Sequence, residues 1–127
     1  MHTTIEAAAP AAAVWDVLVD LDQWPGWGPT VRAAELDRGG RRLRAAARGT
    51  VTTAVGVSVP FVVTRWVAGE RWSWDVAGMP ATSHSVQPLG ADRCALTFGV
   101  PWFAAPYLAV CRVAAERIAD LAAPTPE

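Results

Sequence analysis

The segment from Pro10 to Pro29, PAAAVWDVLVDLDQWPGWGP, limits the possible folds most, because a short amphipathic pattern runs directly into a cluster of tryptophan, proline and glycine. The opening proline suits the first position of a helix, where its missing N–H leaves no hydrogen bond unmade. Val14, Leu18 and Leu21 then repeat at a spacing that places them on one helical face. The pattern predicts a helix over residues 10–21.

Two tryptophans, Trp24 and Trp27, lie in the proline- and glycine-rich run that follows this helix. Proline and glycine both break helices, so we expect regular structure to stop there. Two indoles at such a break need a large apolar surface to cover them. The expected cover is a β-sheet.

Composition narrows the class of protein. The chain has 127 residues, which is the size of one domain, and we assign residues 1–127 to a single domain. Its net charge is −1 and its arginines are scattered, so we do not expect it to bind nucleic acid. Cys94 and Cys111 are too few for a disulfide framework, and the N-terminus lacks a signal-peptide pattern. We therefore expect a cytoplasmic protein.

The stretch from Cys94 to Cys111 has no charged residue and approaches the length of a membrane helix. Gly99, Pro101 and Pro106 argue against such a span. A strand ending near residue 100, followed by a helix whose first turn accepts a proline, explains the same residues. We do not expect a membrane span.

Extended segments separated by short glycine-bearing turns occupy most of the chain after the first helix. Such tight connections are typical of an antiparallel meander. We predict strands over residues 2–6, 31–37, 42–53, 57–67, 71–76, 82–88 and 93–100.

Alternation along these strands assigns one face to the core. In the strand over 57–67 the pattern leaves the inward face open. For the others, the predicted inward residues are Leu43, Ala45, Ala47, Trp72, Trp74, Val76, Thr82, His84, Val86, Cys94, Leu96, Phe98 and Val100.

A helix is predicted over residues 103–123, with an apolar stripe that faces the sheet. A sheet that curls around one long helix leaves space that side chains do not fill, so a cavity is expected. The stripe consists of Phe103, Tyr107, Val110, Cys111, Ala114, Ile118 and Leu121.

This order of elements resembles the START-like superfamily, also called SRPBCC, and most closely its bacterial polyketide cyclase/dehydrase group. The local matches are Val14-Trp15-Asp16-Val17-Leu18, Trp24-Pro25-Gly26-Trp27-Gly28-Pro29, Arg71-Trp72-Ser73-Trp74 and Gln87-Pro88-Leu89-Gly90. The resemblance implies an α+β helix-grip fold, with a seven-stranded curved antiparallel sheet wrapped around a long C-terminal helix and a short helical segment after strand 1. It also implies a cavity for lipids, sterols or polyketides. None of the matching features is a catalytic motif.

Two residues are candidates for proton transfer. His84 is predicted to point inward, where it could act as a general base or contact a ligand; His2 lies at a terminus that we expect to fray. No carboxylate is predicted beside His84, so a hydrogen-bonded core histidine is the competing interpretation. Tyr107 lies on the helical stripe, and its hydroxyl needs a partner in the protein or in a ligand.

The indoles of Trp27, Trp72 and Trp74 have two opposed interpretations. They line the cavity and favour aromatic or polycyclic guests, or they fill it and leave no room for a ligand. His84, Cys94 and Cys111 all face inward, but the tight local spacing of metal ligands is missing, so we expect neither a metal nor another cofactor.

Three functions are therefore open. The first is binding of a hydrophobic small molecule, the second is a polyketide cyclase or aromatase using His84 or Tyr107, and the third is a pocketless interaction module. We expect a monomer or a homodimer. The predicted ligand-binding residues are Trp27, Trp72, Trp74, His84, Val86, Leu96, Phe98, Phe103, Tyr107, Cys111 and Ala114.

Overall fold

A computed structural model describes residues 1–124 and shows one antiparallel sheet of seven strands. The strands follow the order β1-β7-β6-β5-β4-β3-β2 across the sheet. This arrangement confirms the predicted α+β helix-grip fold. The strands are β1 His2–Ala7, β2 Val31–Leu36, β3 Arg48–Thr53, β4 Ser58–Val67, β5 Arg71–Val76, β6 Met79–Gly90 and β7 Arg93–Gly99.

Three α-helices accompany the sheet within residues 1–124. Helix α1 spans Ala11–Val19 and is followed by a 3₁₀ turn, Leu21–Gln23. Helix α2 is the single turn Trp24–Trp27. A second 3₁₀ segment, Trp102–Tyr107, leads into α3, Leu108–Ala122, so the predicted final helix is present but begins as 3₁₀ around Pro106.

The Trp24–Trp27 turn corrects the expectation that regular structure stops at this cluster. Pro25 is in the first turn, where its missing N–H breaks no helical bond, and the Gly28 N–H donates to the Trp24 carbonyl over 2.8 Å. Trp24 and Trp27 are 1% and 6% exposed. The expected burial of both indoles against a sheet is confirmed.

The predicted strand over residues 42–53 is too long at its start. Residues 42–47 form a loop in which Ala46 has a positive φ of 56°, and β3 begins at Arg48. The loop N–H of Leu43 donates to the Val19 carbonyl over 2.8 Å. Leu43 and Ala47 are therefore buried by a loop crossing, whereas Ala45 is exposed.

Two local irregularities account for further differences in β4 and at the start of β6. A bulge between Val63 and Arg65 in β4 shifts the alternation of inward and outward side chains by one residue. Val63, before the bulge, faces the core. Trp66, after the bulge, packs on Trp15 with ring centroids 5.3 Å apart.

The β5–β6 turn consists of two residues, Ala77 and Gly78, and both have a positive φ. Strand β6 therefore begins at Met79, earlier than predicted.

The position of α3 creates the space for a site. This helix packs mainly on β1 and β7, with α1 and α2 beside it. The inner face of β3, β4 and β5 thus stays partly open at the end where the β3–β4 and β5–β6 turns lie. Within residues 1–124, no helix combines the length and apolar character needed to cross a membrane.

Candidate ligand-binding site

An aromatic cluster forms the base of the site, and Trp24 is at its centre. The Trp24 ring is stacked nearly parallel on Trp72, with centroids 5.8 Å apart, and it meets Trp74 edge to face at 5.4 Å. Its N–H donates to the Leu18 carbonyl over 2.9 Å. The cluster joins the turn after α1 to the middle of the sheet.

A small cavity, the inner pocket, lies between this cluster and α3. Its volume is about 60 Å³, so it admits a small group and no ring, since one water occupies roughly 30 Å³ of liquid. Its walls are almost wholly apolar. They consist of Trp24, Trp27, Gly28, Pro29, Thr30, Val31, Trp72, Trp74, Thr82, His84, Phe98, Tyr107, Val110, Cys111 and Ala114.

A larger space, the outer cleft, adjoins the inner pocket and opens to solvent. Its volume is about 310 Å³, at the lower end of the usual range for small-molecule pockets. Thr30, Val31, Trp74, Thr82 and Tyr107 border both spaces. The other residues of the cleft are Val51, Thr53, Val59, Val76, Pro80, Ala81, Val100, Pro101 and Ala104.

His84 is held by a directed chain of hydrogen bonds. Its Nδ1 lies 3.2 Å from the Trp72 carbonyl, which only accepts, so Nδ1 carries the proton. Its Nε2 then accepts from the Thr82 hydroxyl at 2.9 Å. That hydroxyl in turn accepts from Trp74 Nε1 at 3.0 Å. Both ring nitrogens are therefore bonded within the protein.

Burial also fixes the charge of His84. The side chain is 1% exposed, and its ring stacks on Trp72 with centroids 3.9 Å apart. Desolvation lowers the pKa of His84 to about 3, and the hydrogen bond to the Trp72 carbonyl opposes this only in part. His84 is consequently neutral at physiological pH.

Tyr107 lies where the inner pocket meets the outer cleft. Its hydroxyl is 2.7 Å from that of Thr30. Burial raises the pKa of Tyr107, which keeps the phenol protonated at neutral pH. The hydroxyl pair ties the start of α3 to the segment before β2.

Two buried indole N–H groups have no hydrogen-bond partner among residues 1–124. They belong to Trp27 and Trp72, and each Nε1 has almost no accessible surface, so neither is open to the inner pocket. Most buried polar atoms in proteins are paired, so these two donors are exceptions.

The cysteines are free and buried. Burial raises the pKa of Cys111 to about 11 and also raises the pKa of Cys94, so both are thiols at neutral pH. Among residues 1–124, no group of three or more His, Cys, Asp or Glu side chains is arranged to hold a metal ion.

The structure brings most of the predicted ligand-binding residues together and separates three of them. Val86 and Leu96 are buried in the core and border neither the inner pocket nor the outer cleft. Phe103 is 51% exposed and packs on the exposed Trp102 instead of facing the sheet. The residues that do line the inner pocket are Trp27, Trp72, Trp74, His84, Phe98, Tyr107, Cys111 and Ala114.

Most of the outer cleft was missed by sequence reasoning. Alternation identifies the inward face of Val76, but it leaves open the inward face of the strand that contains Val59. Nothing in the pattern shows that α3 leaves this part of the sheet uncovered. His2 opens β1 and pairs with Gly99, in agreement with the predicted strand over residues 2–6.

Comparison with known proteins identifies the family. The family model for polyketide cyclase / dehydrase and lipid transport proteins matches residues 1–123. No curated protein sequence matches the chain.

Solved structures share the fold at low sequence identity. The Zhui aromatase/cyclase from Streptomyces sp. R1128 has a TM-score of 0.71 at 15% identity, over 96% of this chain and 92% of that one. The hypothetical protein jhp0584 from Helicobacter pylori has a TM-score of 0.76 at 12% identity, over 95% and 86%. The di-domain ARO/CYC protein BexL has 0.72 at 14%, over 94% and 45%. With its family model matched from residue 1 to residue 123, this chain belongs to the polyketide cyclase / dehydrase and lipid transport family.

Proposed function

We propose that this protein binds a hydrophobic small molecule, with the body of the guest in the outer cleft and one end in the inner pocket. The observation that carries this proposal is the apolar cleft of about 310 Å³ that adjoins the inner pocket. A guest with two or three fused rings, or a folded acyl chain, is of suitable size. Lipids and polyketides belong to this class.

Burial of apolar area supplies the affinity. Removing a few hundred Å² of guest surface from water is worth several kcal/mol at ~25 cal/mol per Å², before the costs of association. Trp74, Val59 and Val76 offer flat or branched apolar contacts. Thr53, Thr82 and Tyr107 add hydroxyls for orientation.

The chemistry of the walls favours binding over catalysis. His84 has both nitrogens bonded inside the protein, and its pKa of about 3 makes it a weak base at neutral pH. The raised pKa of Tyr107 makes it a weak acid. Among residues 1–124, no Asp or Glu lines the inner pocket or the outer cleft.

A cyclase or aromatase is the second candidate. The fold is that of Zhui and BexL, which are described as aromatase/cyclase proteins. Tyr107 borders both spaces and is the residue best placed to donate a proton to a guest. In this case the cleft would fold a flexible chain into a reactive shape.

The test begins with native mass spectrometry of the protein as purified, which also gives the oligomeric state. A discrete adduct of a few hundred daltons supports the proposal. Calorimetric titration with 2-ethylnaphthalene then measures binding by an apolar probe that contains no polar atom.

A matched pair of variants locates the site. Ala104→Trp places an indole in the outer cleft, whereas Ala109→Trp places one on an exposed position near the start of α3. We expect Ala104→Trp to weaken binding of 2-ethylnaphthalene by at least tenfold and Ala109→Trp to leave it unchanged. Equal binding by both variants would place the guest elsewhere, and no binding by the parent protein would contradict the proposed function.

A further inference from the structure

We propose that the hydroxyl pair of Thr30 and Tyr107 binds an uncharged oxygen of the guest where the inner pocket meets the outer cleft. This inference rests on the proposed function and adds to it the polar group of the guest and the place of that group in the molecule. It gives the site a point of polar recognition between two spaces whose walls are mainly apolar.

The hydroxyl pair is accessible, and it lies at the border that the two spaces share. Its two oxygens are 2.7 Å apart and exposed to solvent. Thr30 and Tyr107 each border the inner pocket and also the outer cleft. A guest that extends from one space into the other therefore passes both side chains.

One O–H of the hydroxyl pair is left without a partner in the protein. Each hydroxyl carries one hydrogen, and the bond between them uses one of the two, whichever residue donates. Burial raises the pKa of Tyr107, so the phenol keeps its hydrogen at neutral pH. Within residues 1–124, neither hydroxyl makes a second hydrogen bond. The hydroxyl that accepts the bond can thus donate its own hydrogen to water or to a guest.

The other hydroxyls of the site are less suited to this role. Thr82 also borders both spaces, but its hydroxyl is already bonded to Trp74 and to His84. Thr53 borders the outer cleft and not the inner pocket, and its oxygen accepts a backbone N–H in the β3–β4 turn. Among the hydroxyls that border both spaces, the spare donor therefore belongs to the hydroxyl pair.

Charge determines which kind of oxygen suits this donor. Within residues 1–124, no Asp, Glu or Arg side chain lines either space, and the sequence contains no lysine. His84 is neutral at physiological pH. A carboxylate at the border would lose water without gaining a counter-ion, which is unfavourable. A ketone or alcohol oxygen carries no net charge and accepts the spare hydrogen.

The volumes of the two spaces set the position of this oxygen in the guest. The inner pocket of about 60 Å³ takes a methyl or ethyl end, and the outer cleft of about 310 Å³ takes a ring system. The hydroxyl pair lies between these two parts of the guest. The expected guest therefore carries its oxygen between a ring system and a short apolar end.

Three naphthalenes of similar shape test the inference by calorimetric titration. 2-Acetylnaphthalene has a ketone oxygen next to its terminal methyl group, 2-ethylnaphthalene has no oxygen, and 2-naphthoate has a carboxylate at the same position. We expect the ketone to bind about fivefold more tightly than the hydrocarbon, which is roughly the net effect of one hydrogen bond. The carboxylate should bind more weakly than the hydrocarbon at neutral pH.

Variants assign this preference to the hydroxyl pair. After Tyr107→Phe or Thr30→Val alone, the remaining hydroxyl still has a hydrogen to donate, so the decisive protein is the double variant. We expect it to bind the ketone no more tightly than the hydrocarbon. The matched control combines Thr4→Val with Thr97→Val, which removes an exposed hydroxyl pair of 2.9 Å outside both spaces. The control should keep the fivefold preference.

The carbonyl stretching band of bound, ¹³C-labelled 2-acetylnaphthalene gives a second test, which uses the parent protein. A hydrogen bond lowers the frequency of this band relative to its value in an apolar solvent. We expect the lowered frequency in the parent protein and in the Thr4 and Thr97 control. A band at the apolar-solvent frequency would refute the proposed contact.

The remaining outcomes separate this inference from the proposed function. A preference for the ketone that survives in the double variant would overturn the assignment to the hydroxyl pair. Equal binding of ketone and hydrocarbon by the parent protein, or tightest binding of the carboxylate, would overturn it as well. In each of these cases the hydrocarbon still binds and the proposed function stands. Binding of none of the three probes would overturn both.

Discussion

The hydroxyl of Tyr107 lies 2.7 Å from that of Thr30 and joins the start of α3 to the segment before β2. Both residues border the inner pocket and the outer cleft. Tyr107→Phe and Thr30→Val each remove one of the two hydroxyls with little change in side-chain volume. The loss of stability in these variants therefore measures how much this hydrogen bond contributes to holding the start of α3 against the segment before β2.

We expect Tyr107→Phe and Thr30→Val each to lower the free energy of unfolding by about 0.5 kcal/mol, the lower end for a single hydrogen bond, because the bond that each removes is exposed to solvent. Urea denaturation of both variants and of the double variant measures this. The double variant should lose less than the sum of the two single losses. Strictly additive losses would show that the two hydroxyls do not interact in solution.

Stability should fall in mild acid because of His84. Its folded pKa is about 3 and its unfolded pKa is near 6.5, so above pH 6.5 both states are neutral at this site. Between pH 6.5 and 3 the unfolded chain binds a proton that the folded protein excludes. The loss at pH 5 should be about 2 kcal/mol relative to pH 8.

His84→Gln is the control for this effect, since it removes the titrating ring and keeps donor and acceptor atoms. The carboxylates are common to both proteins, so the difference between their stability curves isolates the histidine. Urea denaturation at several pH values should show a steeper acid loss in the parent protein. Parallel curves would mean that His84 is not buried neutral in the folded state.

Gly49 should tolerate no larger residue. A Cβ at this position would lie 2.1 Å from the Glu35 carbonyl oxygen and 2.8 Å from the ring of Phe61. Phe61 is itself buried against Trp24 and Trp74. We expect Gly49→Ala to destabilise the fold by roughly 2–4 kcal/mol, the range of severe core overpacking.

Gly90 supplies the matched control, because an added Cβ there meets nothing within 4 Å and no positive φ is involved. Gly90→Ala should change stability by less than about 0.5 kcal/mol. Thermal unfolding of the two variants tests the pair. Similar melting temperatures would show that β3 can move away from its neighbours.

The two thiols should resist modification in the folded protein. Cys94 and Cys111 are 0% and 1% exposed, and burial raises the pKa of both, to about 11 for Cys111. The reactive thiolate is scarce at pH 8 and the sulfur is inaccessible. We expect Ellman's reagent to label neither residue until urea is added.

Single-cysteine variants, Cys94→Ala and Cys111→Ala, assign any signal to one site. Bound 2-ethylnaphthalene should slow labelling of Cys111 further, because this residue lines the inner pocket and Cys94 does not. Rapid labelling of Cys111 without denaturant would show that the pocket opens often.

The sequence determined the elements and most of the core. Helical spacing in α1 and alternation in β5, β6 and β7 follow from short-range geometry, which the chain encodes within a few residues. Trp72, His84 and Phe98 were placed on the inward face in this way, and they are buried there. The resemblance to a known family added the curved sheet around a C-terminal helix.

Only the tertiary structure decided where open space lies. The aromatic side chains nearly fill the volume beside Trp72 and His84, and the larger cavity lies beneath Val59 and Val76, where α3 does not cover the sheet. Two local features also depend on distant contacts, namely the loop of residues 42–47 and the bulge in β4. Local periodicity specifies which side chains point inward. Whether they meet or leave a cavity depends on the docking of helix and sheet, which long-range packing sets and short-range patterns do not contain.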